Sequence, residues 1–175
     1  MNQVKIPVDL ILKNIEEGRK AASSRLKKAP AVLTSDLDTD ISTTPYDVVY
    51  EEDRVKLKHY KPEKVKNKTP LLVIYALINR ETMLDLQPNR SVVETLLNQG
   101  IEVFMIDWGY PTRKDQYQTI GDHVNGYIAN IVDFICEWNR VDKINIMGIC
   151  MGGVFSVIYS ALHPEKVRNL VTTVT

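Results

Sequence analysis

Three runs of consecutive apolar residues constrain this chain more than any other feature: LLVIYAL (71–77), IEVFMID (101–107) and KINIMG (143–148). A strand covered on both faces has no polar side to alternate with, so it reads as an unbroken apolar run. Between and after these runs lie stretches with helical spacing, SVVETLLNQG (91–100), TIGDHVNGYIANIVDFICEWNR (119–140) and VFSVIYSALH (154–163). A fourth strand-like run, VRNLVTTVT (167–175), follows the last of them. Strands alternating with helices require right-handed crossovers and a mainly parallel sheet. The fold class is α/β. Gly100, directly after the first helical stretch, occupies a C-cap position.

Upstream, VVYEED and RVKLKHY read as two strands joined by a short acidic turn, and KPEKVKNKTP as a solvated basic loop. Residues 6–28 carry apolar positions at helical spacing among charges, and Pro30 ends the pattern. APAVLTSDLDTDISTTP (29–45) is a connector rich in Ser, Thr, Asp and Pro. The expected organisation is therefore a helix and connector over 1–45 and an α/β body over 46–175.

Composition narrows the partners. Lys plus Arg and Asp plus Glu are both 22, a formal net charge of zero, so no basic field argues for nucleic acid. No apolar run approaches the ~18 residues of a membrane span, and charges interrupt the first twenty residues where a signal peptide needs an apolar core. The expected compartment is the cytoplasm. There the two cysteines, Cys136 and Cys150, are thiols rather than a bridge, and no ligand cluster beside them suggests a metal.

One of those thiols is placed in a particular way. Gly148-Ile149-Cys150-Met151-Gly152 sits at a strand-to-helix junction, where α/β-hydrolases carry the G-x-S-x-G nucleophile elbow. The turn is sharp and strained, and side chains two residues to either side of the nucleophile would clash, so Gly148 and Gly152 suit it; Gly153 adds room. Cys150 is then expected above the carboxyl edge of the sheet, at a helix amino end whose N–H groups and dipole favour a thiolate. The N–H of Met151 is the expected first oxyanion donor.

The stretches IYALINRETMLDLQPNRSVVETLLNQGIEVFMIDWGYP, DHVNGYIANIVDFI and GICMGGVFSVIYSALHPEKVRNLVTTVT closely resemble the catalytic subunit of polyhydroxyalkanoate synthases over residues 45–175. The resemblance joins the cysteine elbow to N-R-x-x-M-x-D-L-Q and to DWGYP, which a generic lipase does not need. DWGYP and VNGYI are nearer the class III synthases, which act with a second, non-catalytic subunit, than class IV. The resemblance implies an α/β-hydrolase fold and an acyltransferase that polymerises (R)-3-hydroxyacyl-coenzyme A into a polyester held in cytoplasmic granules. Coenzyme A would be part of the substrate and a product, with no resident cofactor. Cys150 would take the acyl group as an enzyme thioester and pass it to a hydroxyl of the growing chain. The second oxyanion donor belongs at the end of the first parallel strand, with Ile78 the choice and Leu77 the neighbouring alternative.

In this fold the carboxylate and histidine base follow the nucleophile. The only later histidine, His163, stands about 19 Å along the helix from the elbow at ~1.5 Å per residue, a capping position. His123 reads as an exposed first-turn residue, His59 as solvated on a lysine-rich strand, and Asp107 as loop support at the sheet edge. The chain is thus expected to be the amino-terminal half of a synthase, truncated after the strand that follows the nucleophile helix and inactive alone. Rival readings are a cysteine-elbow hydrolase of thioesterase or dienelactone hydrolase type, and an inactive truncated paralogue.

Overall fold

A computed structural model describes residues 42–175, which belong to one compact unit, Asp40–Thr175. The expected helix over 6–28 and most of the connector lie outside the described residues. Six strands form one sheet: β1 (Asp47–Glu52), β2 (Val55–Tyr60), β3 (Leu71–Ile74), β4 (Val103–Asp107), β5 (Ile144–Ile149) and β6 (Val167–Thr173), in the order β1-β2-β4-β3-β5-β6. The hairpin β1–β2 joins β4 antiparallel, whereas β4, β3, β5 and β6 run parallel.

Side-chain alternation sorts each buried strand between two cores. Leu72, Ile74, Phe104, Ile106, Ile144 and Ile146 face one side, packed against helices α2 (Ala129–Asn139) and α3 (Met151–Leu162). Leu71, Val73, Val103, Met105 and Ile149 face the other, where α1 (Val92–Asn98) contributes Val93, Leu96 and Leu97. This two-sided cover is why the runs lack polar alternation. Ser91 caps α1 by accepting from Glu94 N at 2.9 Å. Gly100, at φ 77°, closes it with the paired bonds Gly100 N to Leu97 O and Ile101 N to Leu96 O of a Schellman turn.

Several expectations are corrected. The strand expected over 71–77 ends at Ile74, that over 101–107 begins at Val103, and that over 167–175 ends at Thr173. The helix expected from Val154 begins at Met151. His59 is 7% exposed, not solvated, because aromatic rings cover it: its ring stacks on Phe104 at 4.5 Å and meets Trp138 edge-on at 5.9 Å, and its Nε2 lies 2.7 Å from Glu102 Oε1. His123 is 5% exposed, not a surface residue. The helix leading into α2 is π-type over Asp122–Ile128, and His123, Val124, Tyr127 and Ile128 lie on its buried face, His123 beneath Trp108 and Phe155.

Candidate active site

The chain leaves β3 for β4 on one side and returns to β5 on the other, so β3 and β5 flank the point where the winding reverses. In open α/β sheets ligands bind in the crevice outside the carboxyl ends of such strands. β5 ends at Ile149, and Cys150 follows as the N-cap of α3 with φ 54° and ψ −124°. A non-glycine residue in that region carries strain on the order of 1–3 kcal/mol, held only where its surroundings over-determine it. Here Cys150 N donates to Thr173 O at 3.0 Å, and Cys150 O accepts from Gly153 N at 2.9 Å. The side chain is exposed.

The glycines are dictated by contact rather than by backbone freedom. A Cβ on Gly148 would stand 2.5 Å from Gly153 Cα and 2.8 Å from Gly152 O. On Gly152 it would run into Ile74 O and stand 2.6 Å from Tyr75 O. On Gly153 it would meet the side chain of Thr175. The first turn of α3 is therefore pressed onto the end of β3 and onto the start of the loop that follows. Met151 opens α3, where N–H groups have no intrahelical acceptor. Ile78 lies four residues beyond the end of β3 and is 88% exposed, in a loop rather than at a strand end.

Residues of the N-R-x-x-M-x-D-L-Q and DWGYP stretches support this edge. Lys58, 3% exposed, reaches Glu81 Oε1 at 2.7 Å and lies 3.6 Å from Asp107 Oδ2. Burial pushes the Lys58 ammonium down, but the hydrogen bond and charge of Glu81, joined by Asp107, outweigh it and hold the group above its ordinary range. Arg80 stands 3.5 Å from Glu81 Oε2 and 3.8 Å from Asp107 Oδ2, with its guanidinium 4.6 Å from the ring centre of Tyr110. Asp85, fully buried, accepts from Ser42 Oγ, Thr43 Oγ1, Thr44 N and Thr44 Oγ1 at 2.8 to 3.0 Å. Burial alone would raise its carboxyl; these hydrogen bonds, with that of Ser91, hold it below the usual carboxylate range.

Sequence reasoning missed the Lys58–Glu81 pair and the Asp85 anchor. A lysine on an alternating strand signals solvent only where its face is uncovered: Lys56 on β2 is exposed, whereas Lys58 lies beneath Tyr46 and against Glu81. A carboxylate among serines and threonines gives no local sign of the partners folded onto it from forty residues away. None of the three histidines is placed as a base: His59 lies toward the opposite end of the sheet, paired with Glu102, His123 is enclosed with its Nδ1 2.8 Å from Thr119 O and its ring on Phe155, and His163 faces Asn125 Oδ1 at 3.4 Å beyond the far end of α3.

The comparisons bear on the family and the fold. Residues 8–96 match the family model described as the N-terminus of poly-beta-hydroxybutyrate polymerase (PhaC), and residues 69–175 match that of the alpha/beta hydrolase fold. The chain belongs to the poly(3-hydroxyalkanoate) polymerase family. The PhaC polymerase subunit of Thiocystis violacea is 43% identical over 171 residues, 97% of this chain and 48% of that protein. That of Haloferax mediterranei is 50% identical over 134 residues, 76% of this chain and 27% of the relative. The chain thus spans about half the length, or less, of these polymerase subunits. A carboxyl esterase from Bacillus coagulans, 12% identical with a TM-score of 0.56 over 74% of this chain and 44% of its own, shares the fold. A bacterial membrane phospholipase A does so at 20% identity and TM-score 0.52, over 94% of this chain and 51% of its own. Among the described residues no helix is long and apolar enough to cross a membrane.

Proposed function

We propose that Cys150 is the acyl-accepting nucleophile of a polyhydroxyalkanoate synthase and that the substrate is an (R)-3-hydroxyacyl-coenzyme A. The observation that supports this most is the strained, exposed cysteine at the strand-to-helix turn, whose helix Gly152 lets press onto the end of β3, in a chain of the polymerase family. In the first step Sγ attacks the thioester carbonyl, an S–C bond forms, and coenzyme A leaves as its thiol with the cysteine proton. In the second, the 3-hydroxyl of a monomer or chain end attacks the enzyme thioester, the new ester forms, and the proton returns to sulfur. A cysteine suits this sequence because the acyl group stays activated as a thioester until an alcohol takes it.

The backbone N–H of Met151, and one from Leu77 or Ile78 in the loop after β3, would stabilise the tetrahedral oxyanion. Turnover needs a histidine to deprotonate the hydroxyl and a carboxylate to orient it. His59, His123 and His163 are each engaged or enclosed elsewhere, so we assign the chain the acylation half of the site: nucleophile, elbow and oxyanion loop. The reading also carries a second, non-catalytic subunit as partner and the surface of a cytoplasmic granule as location.

Supplying 3-hydroxybutyryl-coenzyme A to the gene product purified from its own cells tests the reading against a hydrolase. A synthase releases coenzyme A while the acyl group enters polymer. Release of coenzyme A matched by free 3-hydroxybutyrate would overturn it in favour of a thioesterase. Replacing Cys150 by alanine should abolish either activity.

A further inference from the structure

We propose that the consecutive residues Asp107 and Trp108 are positioning residues that clamp the two ends of the loop over residues 75–80. They would thereby fix the backbone N–H that completes the oxyanion site. This rests on the reading of Cys150 as acyl acceptor.

The loop begins where β3 ends; Ala76 is buried and Leu77 packs against the core, but the tip beyond them is bare, with Ile78 88% exposed. Among the described residues the tip has no contact of its own to fix it, so its conformation follows from how the two ends of the loop are held. At the first end, Trp108 Nε1–H donates to Tyr75 O at 3.0 Å. That carbonyl is one of the atoms a Cβ on Gly152 would strike, so the indole holds the peptide plane leading into the loop directly against the first turn of α3. Trp108 can act as a fixed point because it is itself held. It is 4% exposed, its carbonyl accepts from Arg54 Nε at 3.0 Å, and its ring packs 5.5 Å from His123 and 6.1 Å from Phe155 on the nucleophile helix.

At the second end, Arg80 faces Asp107 Oδ2 at 3.8 Å, and Glu81 is locked to buried Lys58 at 2.7 Å. The other oxygen of Asp107 accepts from Gly109 N at 2.9 Å, fixing the turn that carries Trp108 away from β4. One dipeptide thus reaches both ends of one loop. A buried indole N–H demands an acceptor, and Tyr75 O supplies it, a bond that phenylalanine at this position could not make.

The test separates alignment of an oxyanion donor from general damage. Two rates are measured at Cys150 in the natural gene product: acylation by 3-hydroxybutyryl-coenzyme A, and alkylation by iodoacetamide, a displacement that forms no oxyanion. Hydrogen exchange is followed over residues 75–80 in the same samples. For Trp108→Phe, acylation should fall by about 10- to 100-fold, below the loss expected for deleting a donor outright. Alkylation should stay within about twofold, and exchange should rise in the loop but not in β3 or α3. Asp107→Asn, which keeps the ring, should give the same pattern more weakly. Unchanged loop exchange in both variants would overturn the clamp, as would equal losses in the two rates. If the unsubstituted protein forms no adduct on Cys150, the nucleophile reading fails, and the exchange data alone decide the clamp.

Discussion

At the scale of single residues, the elbow is a problem of clearance. Gly152 admits no side chain, because a methyl there would meet the carbonyls of Ile74 and Tyr75 and force α3 off the end of β3. Gly152→Ala should cost about 1–3 kcal/mol or more, read as a fall in thermal midpoint of roughly 2–4 °C per kcal/mol, together with lost acylation of Cys150. A midpoint within a degree of the unsubstituted protein would contradict the packing described. Asp85 poses the complementary problem of satisfaction, one carboxylate answering four donors from Ser42, Thr43 and Thr44. Asp85→Asn removes acceptor capacity and should cost about 1–3 kcal/mol in urea unfolding at pH 7. The sign of the pH effect follows from the lowered carboxyl. A group depressed in the folded state stabilises above its unfolded value, near 3.9, and loses that contribution as pH falls through the folded value. The advantage of aspartate over asparagine should therefore be complete at pH 7 and shrink steadily below about pH 4.

At the scale of elements, strand β2 and the helix leading into α2 explain what pattern-reading left out. The strand order places β2 beside β4, and the cover of Tyr46 and Glu81 over that face turns Lys58 from a solvated residue into the centre of an ion cluster with Glu81, Asp107 and Arg80. Breaking a buried pair from one side strands a charge, whereas replacing both partners does not. Lys58→Met should thus destabilise by about 3–5 kcal/mol, and Lys58→Met with Glu81→Met should recover most of that loss in the same denaturation measurement. Additive losses in the double variant would show that the pair is not coupled. The π-type segment Asp122–Ile128 turns His123 under Trp108 and Phe155 and brings Tyr127 Oη to Asp53 Oδ2 at 2.7 Å. The helical spacing of His123, Val124, Tyr127 and Ile128 is ordinary, but the residues that cover that face, Trp108 and Phe155, lie outside the stretch.

At the scale of the whole molecule, the parallel core and the elbow were legible because both are local signals: unbroken apolar runs, helical spacing between them, and two glycines flanking a cysteine. Loop geometry was not. Ile78 sits in a loop rather than at a strand end because β3 stops at Ile74, a boundary that the apolar residues Ala76 and Leu77 conceal. The clamp from Asp107 and Trp108 depends on β4 lying beside β3, a fact of sheet order that no single stretch contains. What the fold brings to one edge is a strained cysteine, a helix amino end and a braced loop. The most direct test of that assembly is the intact mass of the natural gene product before and after exposure to 3-hydroxybutyryl-coenzyme A, followed by peptide mapping. The expected result is 3-hydroxybutyryl units carried on the peptide that contains Cys150 and on no other, with one coenzyme A released for each unit bound or polymerised. An adduct on Cys136, or no adduct while coenzyme A is released, would contradict it.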